Sequence, residues 1–327
     1  MKFLIIRFSS IGDIVLTTPV IRCLKQQVPD AEVHYLTKNA FRSIIDSNPY
    51  VDKAFYVNDK VEEVLPQLQM EDYDYVIDLH HNLRTLQVKK ALKKSSFSFS
   101  KLNLEKWLYT NFKINRMPDV HIVNRYLETV QSFGIVYDGR GLDYFIPEEQ
   151  KINELDIPTS HHAGYIGVVI GAALGTKKLP LDKLKQLAGV INYPIILLGG
   201  KEDKAAGDSI ASVDPVRIYN SCGKFHLNES ADLVRRAKLI ITHDTGLMHI
   251  AAAFNKPMIS VWGNTVPAFG MYALYSNKQI TDHRMQVNGL WCRPCSKIGY
   301  AKCPWGHFNC MQQLDMNVIA AKAHEML

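Results

Sequence analysis

The sequence lacks long hydrophobic runs. None of its apolar stretches approaches the ~18 uninterrupted residues that indicate a membrane-spanning helix. The first apolar run, at residues 3–6, is cut short by Arg7, so the ~7–15-residue apolar core of a signal peptide does not form there. Internal repeats and low-complexity tracts are missing as well. These absences argue against a helical membrane protein and a repeat protein, and we expect a cytoplasmic globular protein.

Two common nucleotide-binding motifs are also missing. No Gly-x-Gly-x-x-Gly motif follows a predicted strand, which argues against a nicotinamide or flavin dinucleotide site. The loop GAALGTKK at residues 171–178 superficially resembles a P-loop. However, three residues rather than four separate its glycines, and Lys-Ser or Lys-Thr does not follow the second glycine. We therefore reject a P-loop ATPase.

Acidic side chains are nearly missing from one segment of the chain. Between Arg84 and Arg116 there are nine basic residues and one acidic residue, Glu105, so this basic segment has a net charge of +8 in a chain whose net charge is +6. A patch of this kind indicates an anionic partner. Nucleic acid is not expected, because no recognised nucleic-acid-binding module accompanies the segment.

The sequence does contain a regular alternation of short apolar strands and helical segments, which is typical of βαβ units and parallel sheets. We predict an α/β protein with two domains, 1–155 and 156–327, divided in a stretch rich in glycine, proline and charge. We predict strands at 3–8, 32–37, 53–57, 75–79, 165–170, 194–198, 239–242 and 257–262. We predict helices at 14–27, 83–94, 122–133, 181–190, 229–237, 246–254 and 314–326, the last of which could pack back on the first domain.

The loop after the first predicted strand holds the first candidate site. Ligands of parallel α/β sheets bind beyond the carboxyl ends of the strands. Gly12 permits a tight backbone path, and Ser10 can hydrogen-bond a ligand or the backbone. Asp13 lies at the start of a helix, where it either caps the helix or takes the proton from an attacking hydroxyl group. The sequence leaves both roles open.

A second candidate site follows a strand in the second half. The N–H groups of Thr245 and Gly246 would point outward at the start of a helix and form a site for a phosphate or diphosphate. Asp244 would cap this helix or accept from a sugar hydroxyl, and His249 could reach the same ligand. The alternative is a capped helix with a satisfied histidine on its face.

Two further loops that follow strands carry charged residues. Lys177 and Lys178 either neutralise a diphosphate leaving group, whose charge grows in the transition state, or are simply solvated. Glu202 follows Gly199 and Gly200, which allow close backbone approach, and could accept from ribose hydroxyls or adenine.

Four motifs resemble those of glycosyltransferase family 9, the ADP-heptose:lipopolysaccharide heptosyltransferases. In chain order they are IIRFSSIGDIVLTTPVI, VIDLHHNLRT, GTKKLPLDKL and IITHDTGLMHIAAAFNKPMISVWGNT, and they span nearly the whole chain. The resemblance implies a GT-B architecture in which two Rossmann-like domains face a cleft. It also implies an inverting, metal-independent transfer of heptose from ADP-heptose to a lipopolysaccharide core sugar. The nucleotide sugar is then a substrate, and no cofactor or catalytic metal is expected.

The resemblance also implies a role for each matching residue. Asp13 matches the family's proposed general base. The expected donor-binding residues are Lys177, Lys178, Glu202, Asp244, Thr245, Gly246 and His249. The expected acceptor-binding residues are Ser10, Gly12, Asp78, Asn82 and Arg84. The alternatives are a transferase of the same architecture with another nucleotide sugar, and a non-catalytic nucleotide- or glycan-binding protein, although the carboxylate at position 13 favours an enzyme.

The basic segment suits a phosphorylated or acidic-sugar acceptor under this reading. It also contains several aromatic residues, and two interpretations of them stay open. Either the segment docks on the anionic inner face of the cytoplasmic membrane, or it is a solvated basic helix whose aromatic side chains belong to the core. The aromatic residues are Phe97, Phe99, Trp107, Tyr109 and Phe112.

Four of the six cysteines lie within 19 residues, in the spacing C-x2-C-x7-C-x6-C. This spacing could close a structural zinc site, with His307 as a spare ligand. A strong zinc signature has two C-x2-C pairs, whereas this sequence has one, and a cluster of reduced thiols beside Trp291 and Trp305 is the alternative. Both structures stay open. The four residues are Cys292, Cys295, Cys303 and Cys310.

Overall fold

Eleven strands form two sheets, and every pair of neighbouring strands is parallel. The computed structural model describes residues 1–327. The chain divides into two units, Met1–Leu102 with Asp119–Phe145 and Asn103–Pro118 with Ile146–Leu327. Each unit contains one sheet with helices connecting its strands, so the predicted α/β class with two Rossmann-like sheets is confirmed.

The sheet of the first unit has the strand order β3-β2-β1-β4-β5. Its strands are β1 (Lys2–Ile6), β2 (Glu32–Lys38), β3 (Lys53–Val57), β4 (Tyr75–Asp78) and β5 (Ser95–Ser98). The helices up to residue 127 are α1 (Ile11–Val15), α2 (Thr18–Gln27), α3 (Arg42–Ile45), α4 (Leu65–Met70), α5 (Leu83–Leu92), α6 (Asn103–Phe112) and α7 (Ile122–Leu127), of which α6 belongs to the second unit. The centre of the sheet is apolar because β1 is covered on both faces, and its residues 3–6 are fully buried.

The sheet of the second unit has the order β11-β10-β9-β6-β7-β8. Its strands are β6 (Ile166–Val169), β7 (Ile195–Leu198), β8 (Ile218–Asn220), β9 (Leu239–His243), β10 (Met258–Trp262) and β11 (Asp282–Gln286). Its remaining helices are α8 (Leu181–Val190), α9 (Lys204–Ala211), α10 (Leu227–Arg236), α11 (Gly246–Ala253), α12 (Asn309–Gln312) and α13 (Met316–Glu325). None of the helices in the chain is both long enough and apolar enough to span a bilayer.

Both sheets reverse their strand order at one place. In the first unit the reversal lies between β1 and β4, and in the second it lies between β6 and β9. Loops diverge at such a point and leave a crevice at the carboxyl ends of the strands, where ligands of this sheet type bind. The loops after β1, β4, β6 and β9 are therefore the places where the fold itself favours a site.

The predicted helix at 14–27 is wrong in its continuity. Two helices, α1 and α2, cover this stretch and are separated at residues 16–17. Pro19 explains the break, since proline has no N–H and fits a helix only in its first turn. It occupies that position in α2.

The strands missed from the sequence lie mainly at sheet edges. β5, β8 and β11 each pair with one neighbour only, and β11 has the polar sequence DHRMQ. An edge strand is less enclosed than a central strand, so it does not need the continuous apolar run by which the central strands were recognised.

The last helix, α13, packs against α8. From the sequence, this helix could also have packed against the first domain. Its buried residues Ile319, Ala320 and Ala323 instead belong to the hydrophobic core of the second unit. The division of the chain also differs in detail from a simple cut near residue 155, because the segment Asn103–Pro118 groups with the second unit.

Candidate active site

In the first unit, the loop between β1 and α1 holds Asp13 in a defined orientation. Its Oδ2 accepts hydrogen bonds from the backbone N–H of Ser10 at 3.1 Å and from the Ser10 hydroxyl at 2.8 Å. Its Oδ1 lies 2.6 Å from Nη2 of Arg7. Asp13 thus has the helix-capping role that the sequence left open, as the third residue of α1 with Ser10 at the N-cap. The side chain keeps 21% of its surface exposed, so solvent still reaches the carboxylate.

Arg7 was not predicted from the sequence as a site residue. The side chain is nearly buried, and its guanidinium donates to the carbonyl oxygens of Ser9 at 2.7 Å and Leu79 at 2.5 Å and to the hydroxyl of Tyr126 at 3.1 Å. These three bonds fix the guanidinium against which Asp13 rests. The available signal was the arginine inside the apolar run FLIIRF, because a buried charge needs partners.

Asp78 ends β4, the neighbour of β1, and lies opposite Ile6 in the sheet register. It is fully buried and accepts from the N–H groups of His80 at 3.1 Å and His81 at 2.6 Å. Burial raises its pKa, but the ammonium of Lys89, 2.9 Å away, and the N–H of His81 outweigh burial and hold the pKa below its usual value. Through these contacts Asp78 stabilises the conformation of the loop after β4.

The two other residues expected on the acceptor side follow Asp78 directly. Asn82 is the N-cap of α5 and accepts from the backbone N–H of Thr85 at 3.0 Å. Arg84 lies in the first turn of α5 with its side chain exposed to solvent. The structure therefore brings Ser10, Gly12, Asp13, Asp78, Asn82 and Arg84 to the carboxyl edge of the first sheet, in the two loops that flank its switch point and in the first turns of the helices that follow them.

His80 lies in the same loop and was also missed from the sequence. Its ring packs edge-on against Phe8, with centroids 5.5 Å apart, and its Nδ1 is buried without a hydrogen-bond partner. Burial, with help from the charge of Arg7, lowers its pKa to about 4. The imidazole is therefore neutral near neutral pH.

In the second unit, Lys177 links the loops after β6, β9 and β10. Its Nζ lies 2.7 Å from Oδ2 of Asp244 and donates to the backbone carbonyl of Asp244 at 3.2 Å. The hydroxyl of Thr265, in the loop after β10, donates to the same Oδ2 at 2.8 Å. We call Lys177, Asp244 and Thr265 the lysine cluster. It lies at the carboxyl edge of the second sheet, beside the switch point between β6 and β9.

Lys178 has a different partner, Asp203. Its Nζ lies 2.6 Å from Oδ1 of Asp203, and Oδ2 of Asp203 accepts from the N–H of Gly200 at 3.0 Å. Asp203 is buried, whereas Glu202, which the sequence predicts as a nucleoside ligand, is exposed. The Glu202 carboxylate folds over Gly200 so closely that a Cβ there would lie 2.4 Å from Oε2. Asp203 was not predicted from the sequence as a site residue.

The helix α11 begins directly after Asp244. Thr245 is its N-cap and makes no side-chain capping bond, and the first N–H groups of a helix have no acceptor within the helix. Thr245 and Gly246 are half-buried, which leaves part of this helix start accessible. His249 lies on the buried side of α11 and is 2% exposed.

His243 ends β9 immediately before the lysine cluster. It is buried, and its Nε2 accepts from the backbone N–H of Leu179 at 3.0 Å. Burial, with a further contribution from the charge of Lys178, lowers its pKa to about 4. A neutral His243 therefore accepts a hydrogen bond from the loop after β6, at the residue that follows Lys178.

A cavity of about 340 Å³ lies within the second unit, and its lining includes Val266, the residue that follows Thr265 of the lysine cluster. It is lined by residues of the loop after β10, of β11, of the segment 287–293 and of α6. Arg284 and Arg293 give it a basic lining that was not predicted from the sequence. Its size is at the lower end of the ~300–1,000 Å³ found for small-molecule pockets.

One group of side chains has the spacing of a metal site by distance alone. Ligand atoms of Glu32, His34 and Glu71 lie within 4.8 Å of one another. Lys2 already pairs with both glutamates at 3.1 Å, and Lys53 pairs with Glu71. Two ammonium groups thus neutralise these carboxylates. Glu32 is the first residue of β2, so it lies at the amino ends of the strands, whereas the candidate site lies at their carboxyl ends. We assign no metal to this group.

Comparison with known proteins gives a consistent result. A model of glycosyltransferase family 9 (heptosyltransferase) matches residues 62–302. Lipopolysaccharide heptosyltransferase 1 of Campylobacter coli is 28% identical over 88% of this chain and 91% of its own length. Lipopolysaccharide heptosyltransferase 3 of Escherichia coli K12 is 28% identical over 79% of this chain and 81% of its own.

Solved structures share the fold. The glycosyltransferase family 9 protein of Veillonella parvula superposes with a TM-score of 0.77 at 20% identity, covering 99% of this chain and 96% of the other. The heptosyltransferase WaaC of E. coli, solved with ADP, superposes with a TM-score of 0.70 at 21% identity over all of both chains.

Proposed function

Because this chain belongs to glycosyltransferase family 9, the heptosyltransferases, we propose that it transfers a heptose from ADP-heptose to a sugar of the lipopolysaccharide core. Family membership makes the chain a glycosyltransferase. The donor and the acceptor are proposals supported by the relatives, which are named for lipopolysaccharide and one of which was solved with ADP.

The lysine cluster beside the start of α11 is the observation that carries this proposal. A diphosphate needs positive charge and N–H donors, and the helix start and Lys177 supply both. An ammonium has three N–H donors, and Lys177 directs two of them at Asp244, so the third is left for a phosphate oxygen. Such groups can stabilise the charge that grows on leaving ADP, which is why we propose that no metal is needed at this step.

The other donor residues have supporting roles in the proposal. Lys178, held by Asp203, adds a second positive charge after β6. Glu202 is exposed after β7, where its carboxylate would accept from ribose hydroxyls or the base. Thr245 and Gly246 would bind phosphate oxygens through their N–H groups. His249 is buried in α11, so we propose that it supports the helix start from below.

Asp13 is the proposed general base. It would take the proton of the acceptor hydroxyl while that oxygen bonds to the anomeric carbon, and ADP would leave with the electrons of the broken carbon–oxygen bond. Attack from the face opposite ADP inverts the anomeric configuration. Arg7 supports this role because it orients one carboxylate oxygen of Asp13 through a guanidinium that is itself fixed by three further bonds.

The acceptor side would be formed by exposed residues of the same two loops. Ser10 and Arg84 are exposed, and Arg84 is the natural partner for an acidic or phosphorylated sugar. Gly12 is buried in the turn that positions Asp13, and Asp78 and Asn82 shape the loop through backbone hydrogen bonds.

Calorimetric titration of ADP, UDP and GDP into the purified chain tests the donor. We expect ADP to bind most tightly, and transfer from ADP-heptose to heptose-free lipopolysaccharide core to yield one heptose of inverted configuration by NMR. Binding of UDP or GDP in preference would favour the same fold with another nucleotide sugar. Tight ADP binding with no transfer to any core acceptor would favour a non-catalytic binding protein.

We also propose that the chain works at the inner face of the cytoplasmic membrane, where α6 contacts anionic lipid. The aromatic residues of the basic segment divide into two groups. Phe97 and Phe99 pack in the first unit, against Phe133 and Tyr126. On α6, by contrast, Leu104, Trp107 and Phe112 are 64%, 52% and 58% exposed. An exposed aromatic helix within a segment of charge +8 suits an anionic lipid surface.

Vesicle binding tests this docking. We expect Trp107→Ala to weaken binding to phosphatidylglycerol vesicles, with Leu155→Ala, another exposed apolar residue, as the control. Lys90→Gln and Lys93→Gln should each cost about 1 kcal/mol of binding to these vesicles and nothing with phosphatidylcholine. Lys89 and Lys94 are poor targets because they pair with Asp78 and Asp72. Equal binding by all variants would contradict the docking.

A further inference from the structure

The four clustered cysteines lie in a long irregular segment of the second unit. Between the end of β11 at Gln286 and the start of α12 at Asn309, the chain has neither helix nor strand. Loops longer than about 12–15 residues without secondary structure are uncommon in compact domains and need another source of order. Cys292, Cys295 and Cys303 belong to this segment, which we call the cysteine loop, and Cys310 is the second residue of α12.

The cysteine loop is folded back on itself. The rings of Trp291 and Trp305 meet edge to face with centroids 4.7 Å apart, and His307 lies 6.4 Å from Trp291. These contacts bring the start of the loop, with Cys292, against its end, with Cys303. Cys292 and Cys310 are buried. All six cysteines of the chain are free thiols, so no disulfide accounts for this fold.

Basic residues lie beside the start of the cysteine loop. Nζ of Lys113 donates to the carbonyl oxygens of Cys292 at 3.3 Å and Pro294 at 2.8 Å. Arg293 lies between these two residues in the chain. Cations at these positions offset the charge of a group of thiolates.

We propose that Cys292, Cys295, Cys303 and Cys310 bind one Zn²⁺ ion as four thiolates. Four sulfur ligands close a tetrahedral structural site, and each thiol loses its proton to solvent on binding, which leaves a net charge of −2 at the site. No three of these sulfur atoms lie within 4.8 Å of one another. Zinc binding therefore requires the cysteine side chains to rotate toward a common centre. His307 is a poor ligand, because its Nδ1 accepts from the N–H of Asn309 at 3.0 Å and Nε2 then carries the proton.

The cysteine loop contacts both loops that hold the lysine cluster. On one side, the backbone of Tyr300 exchanges hydrogen bonds with Thr176: the Thr176 N–H donates to the Tyr300 carbonyl at 3.1 Å, and the Tyr300 N–H donates to the Thr176 hydroxyl at 2.8 Å. A Cβ at Gly175 would lie 2.2 Å from the carbonyl oxygen of Ala301, so only glycine fits there. The residue that follows Thr176 is Lys177.

On the other side, Arg293 holds the loop after β10. Its Nε donates to the carbonyl of Gly263 at 2.6 Å and its Nη2 to that of Thr265 at 3.0 Å. The cysteine loop therefore positions Lys177 and Thr265, the two partners of Asp244. If the donor site is as proposed above, the zinc ion stabilises that site without touching the donor.

Metal analysis of the full-length protein tests the zinc site without reference to activity. We expect about one zinc per chain by mass spectrometry of the metal, after purification or after addition of Zn²⁺. A mercurial reagent that titrates the thiols of the wild-type protein should release this zinc to a colorimetric indicator. Cys292→Ser with Cys310→Ser should abolish it, whereas Cys23→Ala and Cys222→Ala should retain it.

A wild-type protein that holds no zinc after addition of Zn²⁺ would overturn the proposal. Iron with thiolate-to-metal absorption in place of zinc would overturn the identity of the ion. The wild-type release experiment keeps the test valid even where the double variant does not fold.

The positioning role has a separate test. Removal of zinc should weaken ADP binding about tenfold and leave the far-ultraviolet circular dichroism unchanged, and added Zn²⁺ should restore the affinity. Zinc that is present but without effect on ADP affinity would confirm the metal site and overturn its link to the lysine cluster. A failure of the proposed donor site would instead appear as absent ADP binding in the zinc-loaded protein.

Discussion

The two sheets place their candidate residues at the same topological position but support them in opposite ways. In the first unit, the loop after β1 carries a carboxylate, Asp13, which rests on a buried guanidinium. In the second unit, the loop after β6 carries two ammonium groups, each of which rests on a carboxylate from another loop. The same strand order thus presents an acid in one unit and bases in the other, because the loops rather than the sheet determine the chemistry.

The strands that face these loops across the switch points also correspond. β4 is followed by His80, and β9 ends in His243. Each histidine has its pKa lowered to about 4 by burial, and in each case a nearby basic group, Arg7 or Lys178, lowers it further. A neutral imidazole therefore follows the second strand of each switch point.

The largest effect is expected from Asp13→Asn. The amide keeps hydrogen-bonding groups for Ser10 but cannot take a proton, so kcat should fall by about 10²–10⁴-fold. The ADP dissociation constant should not change, since we assign ADP to the other unit. Asp72→Asn, an exposed carboxylate in the same unit, is the matched control. Full activity of Asp13→Asn would remove Asp13 from the base role.

The sequence was sufficient to predict the centres of both sheets and the loops that carry most of the candidate residues. β1, β6, β9 and β10 are buried over all or nearly all of their length and are mainly apolar, whereas the polar edge strand β11 was missed. The candidate residues were recognisable because they follow such strands. The apolar run of a central strand is a local feature of the sequence, so it can be recognised without the structure.

The partners of the candidate residues could not be predicted in the same way. Lys177 and Asp244 are 67 residues apart, and Lys178 and Asp203 are 25 apart. Which lysine pairs with which carboxylate depends on the register of β6, β7 and β9 and on the turns that follow them. Arg7 was missed for a related reason: its importance lies in contacts with Leu79 and Tyr126, which are distant in the chain.

An acid titration compares the two histidines. The folded pKa of His243 lies below its unfolded value of ~6.5, so the unfolded chain binds more protons between these values and stability falls as pH decreases through this window. At pH 5 the loss from His243 should be about 2 kcal/mol of unfolding free energy, and less from the half-buried His80.

Denaturant unfolding between pH 4 and pH 7 measures this loss. His243→Gln keeps an acceptor for the N–H of Leu179 and should flatten the pH profile relative to the wild type, and His80→Gln should flatten it less. An equal pH dependence in all three proteins would mean that neither histidine is held neutral by the fold.

A smaller effect is expected from Asp244→Ala, which removes the carboxylate that holds Lys177. ADP affinity should fall about tenfold, and the double variant with Lys177→Ala should be less affected than the sum of the single changes, with a coupling of about 0.5–3 kcal/mol. Calorimetric titration of ADP gives all four values. Additive effects would show that the ion pair is incidental to ADP binding.

The smallest and sharpest comparison uses two hydroxyl groups. Ser10 and Thr265 each donate a hydrogen bond to Oδ2 of a carboxylate at 2.8 Å, one on Asp13 and the other on Asp244. Each bond should contribute about 0.5–1.5 kcal/mol, a change of about two- to tenfold. Thr265→Val should weaken ADP binding by this factor while Thr265→Ser does not, and Ser10→Ala should lower kcat with no change in ADP affinity. If both variants changed the same constant, the separation of base and donor site between the two units would be wrong.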